Sequence, residues 1–142
     1  MKDIEYKLLT ETSELDVVQI NSLLTELTGK EIQLTLIEAK NTINTNYVIG
    51  AYFEKKIIGI GTLVNIQLFN SKQGRIEDVV VLKKFRRKKV GYNIMRQLIK
   101  RAKESGIEKL SLTSNPKRFE ARKLYLDIGF QIIDTDVFLL KI

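Results

Sequence analysis

The sequence IEDVVVLKKFRRKKVG occupies residues 76–91 and joins three different patterns. Its first seven residues are mostly apolar and rich in valine, as in a buried strand. Every residue from Lys83 to Lys89 except Phe85 is basic, and an amphipathic helical pattern begins at Gly91. A helix N-terminus presents unpaired N–H groups and a partial positive charge. A basic turn between a strand and a helix therefore suits a compact anion such as pyrophosphate.

The patterns on either side of this turn predict an α/β order. Apolar residues at helical spacing predict helices from a cap at Ser13 to Gly29, from Ile32 to Asn46, over residues 91–102, and from residues 114–116 to Gly129. Apolar runs predict strands over residues 4–9, 47–53, 56–66, 75–82, 107–113, 130–133 and 137–142. The sequence thus predicts one α/β domain over residues 1–142, with helices on both faces of a sheet.

Two glycines, Gly59 and Gly61, lie inside one of the predicted strands. They lack the third glycine of a dinucleotide-binding fingerprint, and the chain contains no Gly-Lys-Ser/Thr sequence of a P-loop. We therefore expect them to mark a β-bulge or a close packing contact of the strand.

The amino-acid composition limits the kinds of site and reaction that the protein can support. The chain has 142 residues, of which 44% are hydrophobic and 29% charged, enough apolar material for one domain with its own core. It contains no cysteine and no histidine, so we expect no disulfide, no cysteine-bound acyl intermediate and no metal site. No apolar run approaches the roughly 18 residues of a membrane span, and the N-terminus lacks the apolar core of a signal peptide. These features predict a cytoplasmic protein without a membrane partner.

The net charge of +7 suits nucleic acid, an acidic membrane surface or a phosphate-rich small molecule. Much of the excess lies between Lys83 and Lys89, which favours a compact polyanion. Taken alone, the basic run also fits a solvated loop. A nucleic-acid-binding module is a further alternative, but Phe85 is the one aromatic residue within the run and no helix-turn-helix pattern is visible. We therefore expect no nucleic-acid partner.

Two linked motifs carry a resemblance to a known family. Arg86, Lys89 and Gly91 occupy the positions of a Gln/Arg-x-x-Gly-x-Gly/Ala motif, with lysine in place of the first glycine. Downstream, an Asn, Ala, Leu-Tyr, Gly-Phe pattern is formed by Asn115, Ala121, Leu124, Tyr125, Gly129 and Phe130. The chain resembles the GCN5-related N-acetyltransferase (GNAT) family, closely from about residue 75 onward and in the order of elements before that.

The resemblance implies a mixed, mostly antiparallel sheet of six to seven strands with splayed central strands, about four helices on both faces, and acetyl-CoA as cosubstrate. The pantetheine arm would pair with the exposed backbone of the fourth strand, and the pyrophosphate would rest on N–H groups of the turn. A lysine at a glycine position with positive φ implies strain on the order of 1 kcal/mol. The residues implied to bind acetyl-CoA are Val79, Val80, Val81, Arg86, Arg87, Lys88, Lys89, Val90, Gly91, Tyr92, Asn115 and Tyr125.

Transfer of an acyl group from a thioester to an amine needs a neutral amine and a proton for the departing thiolate. Glu77 is the candidate base, because burial in an apolar strand makes a carboxylate more basic. Asp78 points to the other face of a regular strand, so at most one of the two is expected to act. Ion pairing with the nearby Lys and Arg residues is an equal alternative for both. Tyr125 resembles the family tyrosine that protonates the CoA thiolate, although its place on an apolar helix face also suits a core residue.

These residues predict an acetyl-CoA-dependent N-acetyltransferase that acts by direct attack of a primary amine of a small molecule. Residues 76–81 are also similar to glucosamine-6-phosphate N-acetyltransferases, which makes an amino sugar a candidate acceptor. A non-catalytic acyl-CoA-binding protein on the same fold stays an alternative, as does a basic nucleic-acid-binding module. The apolar stretch at residues 137–140 favours self-association as a homodimer.

Overall fold

A computed structural model describes residues 3–142, and the predictions for Met1 and Lys2 lie outside the described residues. The chain divides into two compact units, the first ending at Leu112 and the second beginning at Thr113. The second unit contains α4 (Phe119–Ile128). The first unit contains, in chain order, β1 (Glu5–Leu8), α1 (Val17–Thr28), α2 (Leu36–Thr45), β2 (Tyr47–Phe53), β3 (Lys56–Gln67), β4 (Lys72–Val81), a short 3₁₀ helix (Lys83–Phe85), α3 (Val90–Glu104) and β5 (Lys109–Ser111).

The strands form one mixed sheet in the order β1-β2-β3-β4-β5. Neighbours are antiparallel except for β4 and β5, which are parallel. Parallel neighbours need a crossover, and α3 supplies it. The predicted α/β class is confirmed, as are the four helices within residues 3–142, but the sheet that these residues form has five strands rather than the predicted six to seven.

One face of the sheet is covered by α1 and α2. Ile20 and Leu23 of α1 and Ile43 of α2 lie in a single buried cluster with residues of β2, β3 and β4, among them Ile60. Because adjacent residues of a strand point to opposite faces, the neighbours of Ile60 must contact a different layer.

That other layer is α3. A Cβ atom at Gly61 would lie 2.6 Å from Ile94 Cγ2 and 3.1 Å from Leu98 Cδ1, both side chains of α3. A side chain at this position would therefore push α3 away from β3. The close packing predicted for this glycine is confirmed.

A β-bulge lies near the C-terminal end of β4, in its ladder with β3. The register shifts between Ile60 and Thr62, so β4 contributes one residue more than β3 at that point. Asp78 has a φ of 54°, in the left-handed region that aspartate tolerates better than most residues. The bulge interrupts the regular alternation of β4 just before its last residues.

The helix boundaries differ from the predictions where capping residues compete. Ser13 was the expected cap, but its Oγ accepts a hydrogen bond from Thr10 N at 2.9 Å in the preceding turn. Asp16 caps α1 instead, with Oδ1 accepting from Gln19 N at 3.1 Å. The left-handed Gly29 ends the helix as predicted.

The two strands predicted at residues 130–133 and 137–142 are wrong, since the structure describes no strand after α4. An apolar run forms a strand only when a neighbouring strand pairs with its backbone, and none of the described strands does so here. The large apolar side chains of this stretch are exposed, namely Ile132, Ile133, Val137, Phe138, Leu139, Leu140 and Ile142. None of the helices described between residues 3 and 142 is long and apolar enough to cross a bilayer.

Candidate active site

The C-terminal half of β4 has one edge outside the ladders of the sheet. β5 pairs with Gln73, Gly74 and Arg75 and no further, whereas β4 continues to Val81. This parting matches the splayed strands that the family resemblance implies. Peptide groups on that side of β4, around Val79 and Val80, can pair with an extended chain that carries amide groups, as pantetheine does.

The turn between β4 and α3 contains two strained residues. Arg87 and Lys89 both have a φ of 61°, in the left-handed region that favours glycine. Lys89 is the N-cap of α3, and its side chain makes no capping hydrogen bond. The positive φ expected at the position of the family's first glycine is therefore present, with a lysine in it.

The first turn of α3 offers N–H groups to an anion. Val90, Gly91 and Tyr92 open the helix, and the first intrahelical bond across the cap is made by Asn93 N to Lys89 O at 2.9 Å. Earlier N–H groups of a helix have no carbonyl partner within it. With an uncapped start and exposed basic side chains ahead of it, this end of α3 fits a pyrophosphate.

Replacing Lys89 with glycine should stabilise the protein by about 0.5 kcal/mol, because relief of about 1–2 kcal/mol of left-handed strain exceeds the added entropy of the unfolded chain. We expect the melting temperature to rise by roughly 2 °C. Lys88 has no positive φ, so Lys88→Gly is the matched control. It removes the same charge and should not stabilise. Equal shifts in the two variants would contradict the strain at Lys89.

Phe85 fixes the start of the turn. Its ring is buried and packs on Phe53 of β2, with ring centroids 5.2 Å apart. The ammonium groups of Lys84 and Lys88 lie 5.2 and 5.7 Å from the same ring centroid. The aromatic residue in the basic run therefore serves packing, and the cations around it stay exposed.

Arg86 folds back onto the protein. Its Nε donates to Val81 O at 2.9 Å, and its NH2 group lies 3.0 Å from Glu26 Oε1 of α1. Its backbone N–H donates to Lys83 O at 3.2 Å. The backbone N–H of Arg86, one of the groups expected to bind the pyrophosphate, therefore already has an acceptor. The N–H groups that can bind an anion lie after Arg86 in the turn.

The two candidate carboxylates differ in environment. Glu77 is not buried as expected: its side chain is 40% exposed and pairs with Arg75 Nε at 2.7 Å. Asp78 lies on the bulge and is also exposed by surface area. Partial burial of its carboxyl nevertheless raises the pKa of Asp78 above its ordinary value, and the charge of Glu77 raises it further. The ion pairing considered for this pair of residues is realised at Glu77.

Asn115 belongs to the second unit and does not cap α4. Its Oδ1 accepts from Lys117 N at 2.9 Å, which closes a turn ahead of the helix, and the N-cap position is Arg118. The neighbouring Ser114 Oγ is buried with no hydrogen-bond partner among residues 3–142. A buried hydroxyl of this kind suits a polar atom of a ligand.

Tyr125 is buried in the second unit, with 8% of its surface exposed. Its ring meets Phe130 edge-on, with centroids 6.1 Å apart. Burial raises the pKa of the Tyr125 phenol above its ordinary value of 10.0, and the charge of Arg118 opposes this with a smaller effect. The phenol is therefore kept protonated, as a proton donor must be.

Most of the predicted binding residues lie in the first unit, at the end of β4 and in the segment that leads from it into α3. Val79, Val80 and Val81 end β4, and residues 86–92 form the turn and the start of α3. Glu77 lies two residues before Val79. Asn115 and Tyr125 belong to the second unit.

Glu26, which contacts the turn from α1, is not among the residues predicted from the sequence. Glu26 is 57 residues from Lys83 and 60 from Arg86. It has no motif around it, so a single sequence carries no signal for these contacts.

The sequence and the fold of this chain are similar to those of known proteins. The sequence profile of the acetyltransferase (GNAT) family matches residues 17–130, and the chain belongs to that family. An acetyltransferase from Trypanosoma brucei is 23% identical with a TM-score of 0.80, over 98% of this chain and 100% of that one.

Two further solved structures share the fold. One is an aminoglycoside acetyltransferase from an uncultured soil metagenomic sample, 17% identical over 97% of each chain with a TM-score of 0.80. The other is glucosamine-6-phosphate N-acetyltransferase from Arabidopsis thaliana, 21% identical with a TM-score of 0.69. It is matched over 94% of this chain and 98% of its own. At these identities the likeness establishes the fold.

Proposed function

We propose that this protein transfers the acetyl group of acetyl-CoA to a primary amine of a small molecule. The observation that carries the proposal is the uncapped start of α3 behind the left-handed Lys89, which follows the unpaired edge of β4. Together they offer amide partners for pantetheine and N–H donors for pyrophosphate. Acetyl-CoA supplies an activated acetyl thioester.

Each part of acetyl-CoA is assigned to a segment of the chain along β4 and α3. The backbone of Val79–Val81 pairs with the pantetheine arm, and the turn residues up to Tyr92 hold the pyrophosphate through N–H groups and positive charge. In the second unit, Asn115 orients the pantetheine and Tyr125 contacts the thioester end. We expect no metal ion in this reaction.

The chemical roles divide between a base and an acid. Glu77 accepts the proton that the amine loses as its nitrogen bonds to the acetyl carbon, directly or through water. Asp78, whose pKa is raised, lies next to Glu77 on the bulge and is the alternative base. The carbon–sulfur bond breaks, and Tyr125 donates its phenolic proton to the leaving thiolate. No acyl-enzyme intermediate forms, since the amine attacks the thioester directly.

An amino sugar is the acceptor that we place first. Two structures of similar fold are named for acceptors that carry amines on sugar rings, an aminoglycoside and glucosamine 6-phosphate. The similarity of residues 76–81 to the second class points the same way. An acyl-CoA-binding protein without catalysis is the alternative that keeps the same binding site.

We also propose that the protein is cytoplasmic.

Titration calorimetry with acetyl-CoA tests the proposal. One-to-one binding at micromolar concentration would support it and justify a screen of amino sugars by release of free thiol. Absence of heat with acetyl-CoA, together with salt-dependent binding of DNA or RNA, would instead favour the nucleic-acid-binding alternative.

We further propose that the protein is a homodimer held by its apolar C-terminal stretch. Phe138 is 91% exposed, and Leu139 and Leu140 are 83% and 81% exposed, more contiguous apolar surface than a monomer ordinarily presents. Light scattering behind a sizing column should give a dimer mass for the wild type and a monomer mass for Phe138→Ser. Lys141→Gln, in the same stretch, should remain dimeric. A monomeric wild type at tens of micromolar would contradict the proposal.

A further inference from the structure

An acidic side chain of α1 reaches the basic turn. Glu26 Oε1 accepts from Lys83 N at 3.2 Å and from the Arg86 guanidinium at 3.0 Å. The same guanidinium donates through Nε to Val81 O at 2.9 Å. We call these three contacts the Glu26–Arg86 clasp. It joins α1, the last residue of β4 and both ends of the 3₁₀ helix region.

The helix that carries Glu26 is held in place by the core. Ile20 and Leu23 of α1 are buried, and Leu24 and Leu27 pack against the same cluster as Leu82 at the start of the turn. Glu26 therefore stands on a helix that is fixed relative to β4. Its side chain is 30% exposed and that of Arg86 is 41% exposed, so the clasp lies at the surface.

The turn needs such a restraint. Arg87 and Lys89 lie in the left-handed region, and conformations of this kind persist only when surrounding contacts impose them. The basic residues between Lys83 and Lys89 also repel one another. Phe85 anchors the turn through packing, and the Glu26 carboxylate adds an opposite charge and an acceptor for a backbone N–H beside it.

We propose that Glu26 is a positioning residue for the phosphate-binding turn. Through Lys83 N and Arg86 it holds the turn in the conformation that presents its N–H groups to the diphosphate of acetyl-CoA. Glu26 then determines the affinity for the nucleotide end of the cosubstrate and takes no part in acetyl transfer. This inference rests on the proposed function.

Calorimetry with acetyl-CoA on a series of variants tests the clasp. Glu26→Ala should weaken binding about 10-fold, a loss that fits removal of hydrogen bonds to a charged group at a partly exposed site. Glu26→Gln keeps an acceptor oxygen for Lys83 N and should stay within about threefold of the wild type. Arg86→Ala should weaken binding at least as much as Glu26→Ala, because it removes the clasp and also a positive charge of the turn. The double variant should bind no more weakly than Arg86→Ala, because the two side chains act as a unit.

Two further measurements separate positioning from general destabilisation. Glu11→Ala, a change at an exposed glutamate outside the clasp, should bind like the wild type. With an accepted amine in hand, Glu26→Ala should raise KM for acetyl-CoA and leave kcat within about twofold. If Glu26→Ala lowers the melting temperature strongly, Arg86→Lys supplies the test with an expected loss of about threefold, and wild-type affinity in that variant would overturn the positioning role.

The outcomes distinguish this inference from the proposed function. If the wild type binds acetyl-CoA and Glu26→Ala binds it with the same affinity, the positioning role is overturned and the proposed function is left intact. Fully additive losses in the double variant would also overturn it. A wild-type protein that does not bind acetyl-CoA would overturn both.

Discussion

Replacing Gly91 with glutamate should weaken acetyl-CoA binding by at least about 100-fold. Gly91 is the second residue of α3, one position after the buried Val90 and two after the left-handed Lys89. A carboxylate there competes for the N–H groups of the first turn and repels the diphosphate. A 100-fold loss corresponds to about 3 kcal/mol, within the range of a like-charge contact at a binding surface.

The same substitution should leave the fold intact. Glutamate has a higher helix propensity than glycine, and an acidic side chain near a helix N-terminus is stabilising. Gly91 is not in the left-handed region, so its backbone conformation does not require glycine. Gly91→Gln supplies the bulk without the charge and should lose much less affinity. Binding by Gly91→Glu within a few-fold of the wild type would place the diphosphate elsewhere.

Replacing Tyr125 with phenylalanine should lower kcat about 100-fold, the effect expected for loss of a general acid. The buried ring can keep its packing on Phe130 without the hydroxyl, so acetyl-CoA binding and the melting temperature should change little. Because burial raises the pKa of Tyr125 above its ordinary value, the wild-type phenol stays protonated at neutral pH. The midpoint of the decline of kcat that this group causes at high pH should therefore lie above that of an ordinary tyrosine.

Steady-state kinetics with an accepted amine check this result. Tyr47→Phe is the control, because Tyr47 makes a hydrogen bond to Ser105 in the first unit and has no proposed catalytic role. Glu77→Gln should also lower kcat if Glu77 is the base, and Asp78→Asn should do so if Asp78 is. Full activity in Tyr125→Phe and Glu77→Gln would refute both assignments.

The parts of the fold that sequence predicted best are those decided by local pattern. The apolar stretch that ends β4, the basic turn and the helix beginning beside Gly91 follow one another within 16 residues, so their order determines their structure. The hairpin of β2 and β3 has a similarly local origin, in two apolar runs around Glu54 and Lys55. Close packing at Gly61 was also predictable, since glycine within a strand indicates a bulge or a close neighbour.

The parts that sequence could not predict depend on partners distant in the chain. The terminal strands were predicted from apolar content alone, but strand formation depends on an available neighbour. Glu26 reaches the turn because α1 packs over β4, which no local pattern records. Glu77 is partly exposed and pairs with Arg75, and the pKa of Asp78 is raised by burial of its carboxyl and by the charge of Glu77. Neither environment follows from a regular alternation along the strand.

The parallel pairing of β4 with β5 also has a consequence for the order in which we expect the first unit to fold. β2, β3 and β4 are joined by short hairpin connections, whereas β5 reaches β4 only after α3 has crossed the sheet. Contacts between residues near in sequence generally form faster than distant ones. We therefore expect the antiparallel strands β2, β3 and β4 to pair first. The turn at the N-terminus of α3 should reach its final conformation only when the crossover to β5 forms. If acetyl-CoA binds at this turn, its presence during refolding should stabilise the folded protein without raising the rate at which the antiparallel strands pair.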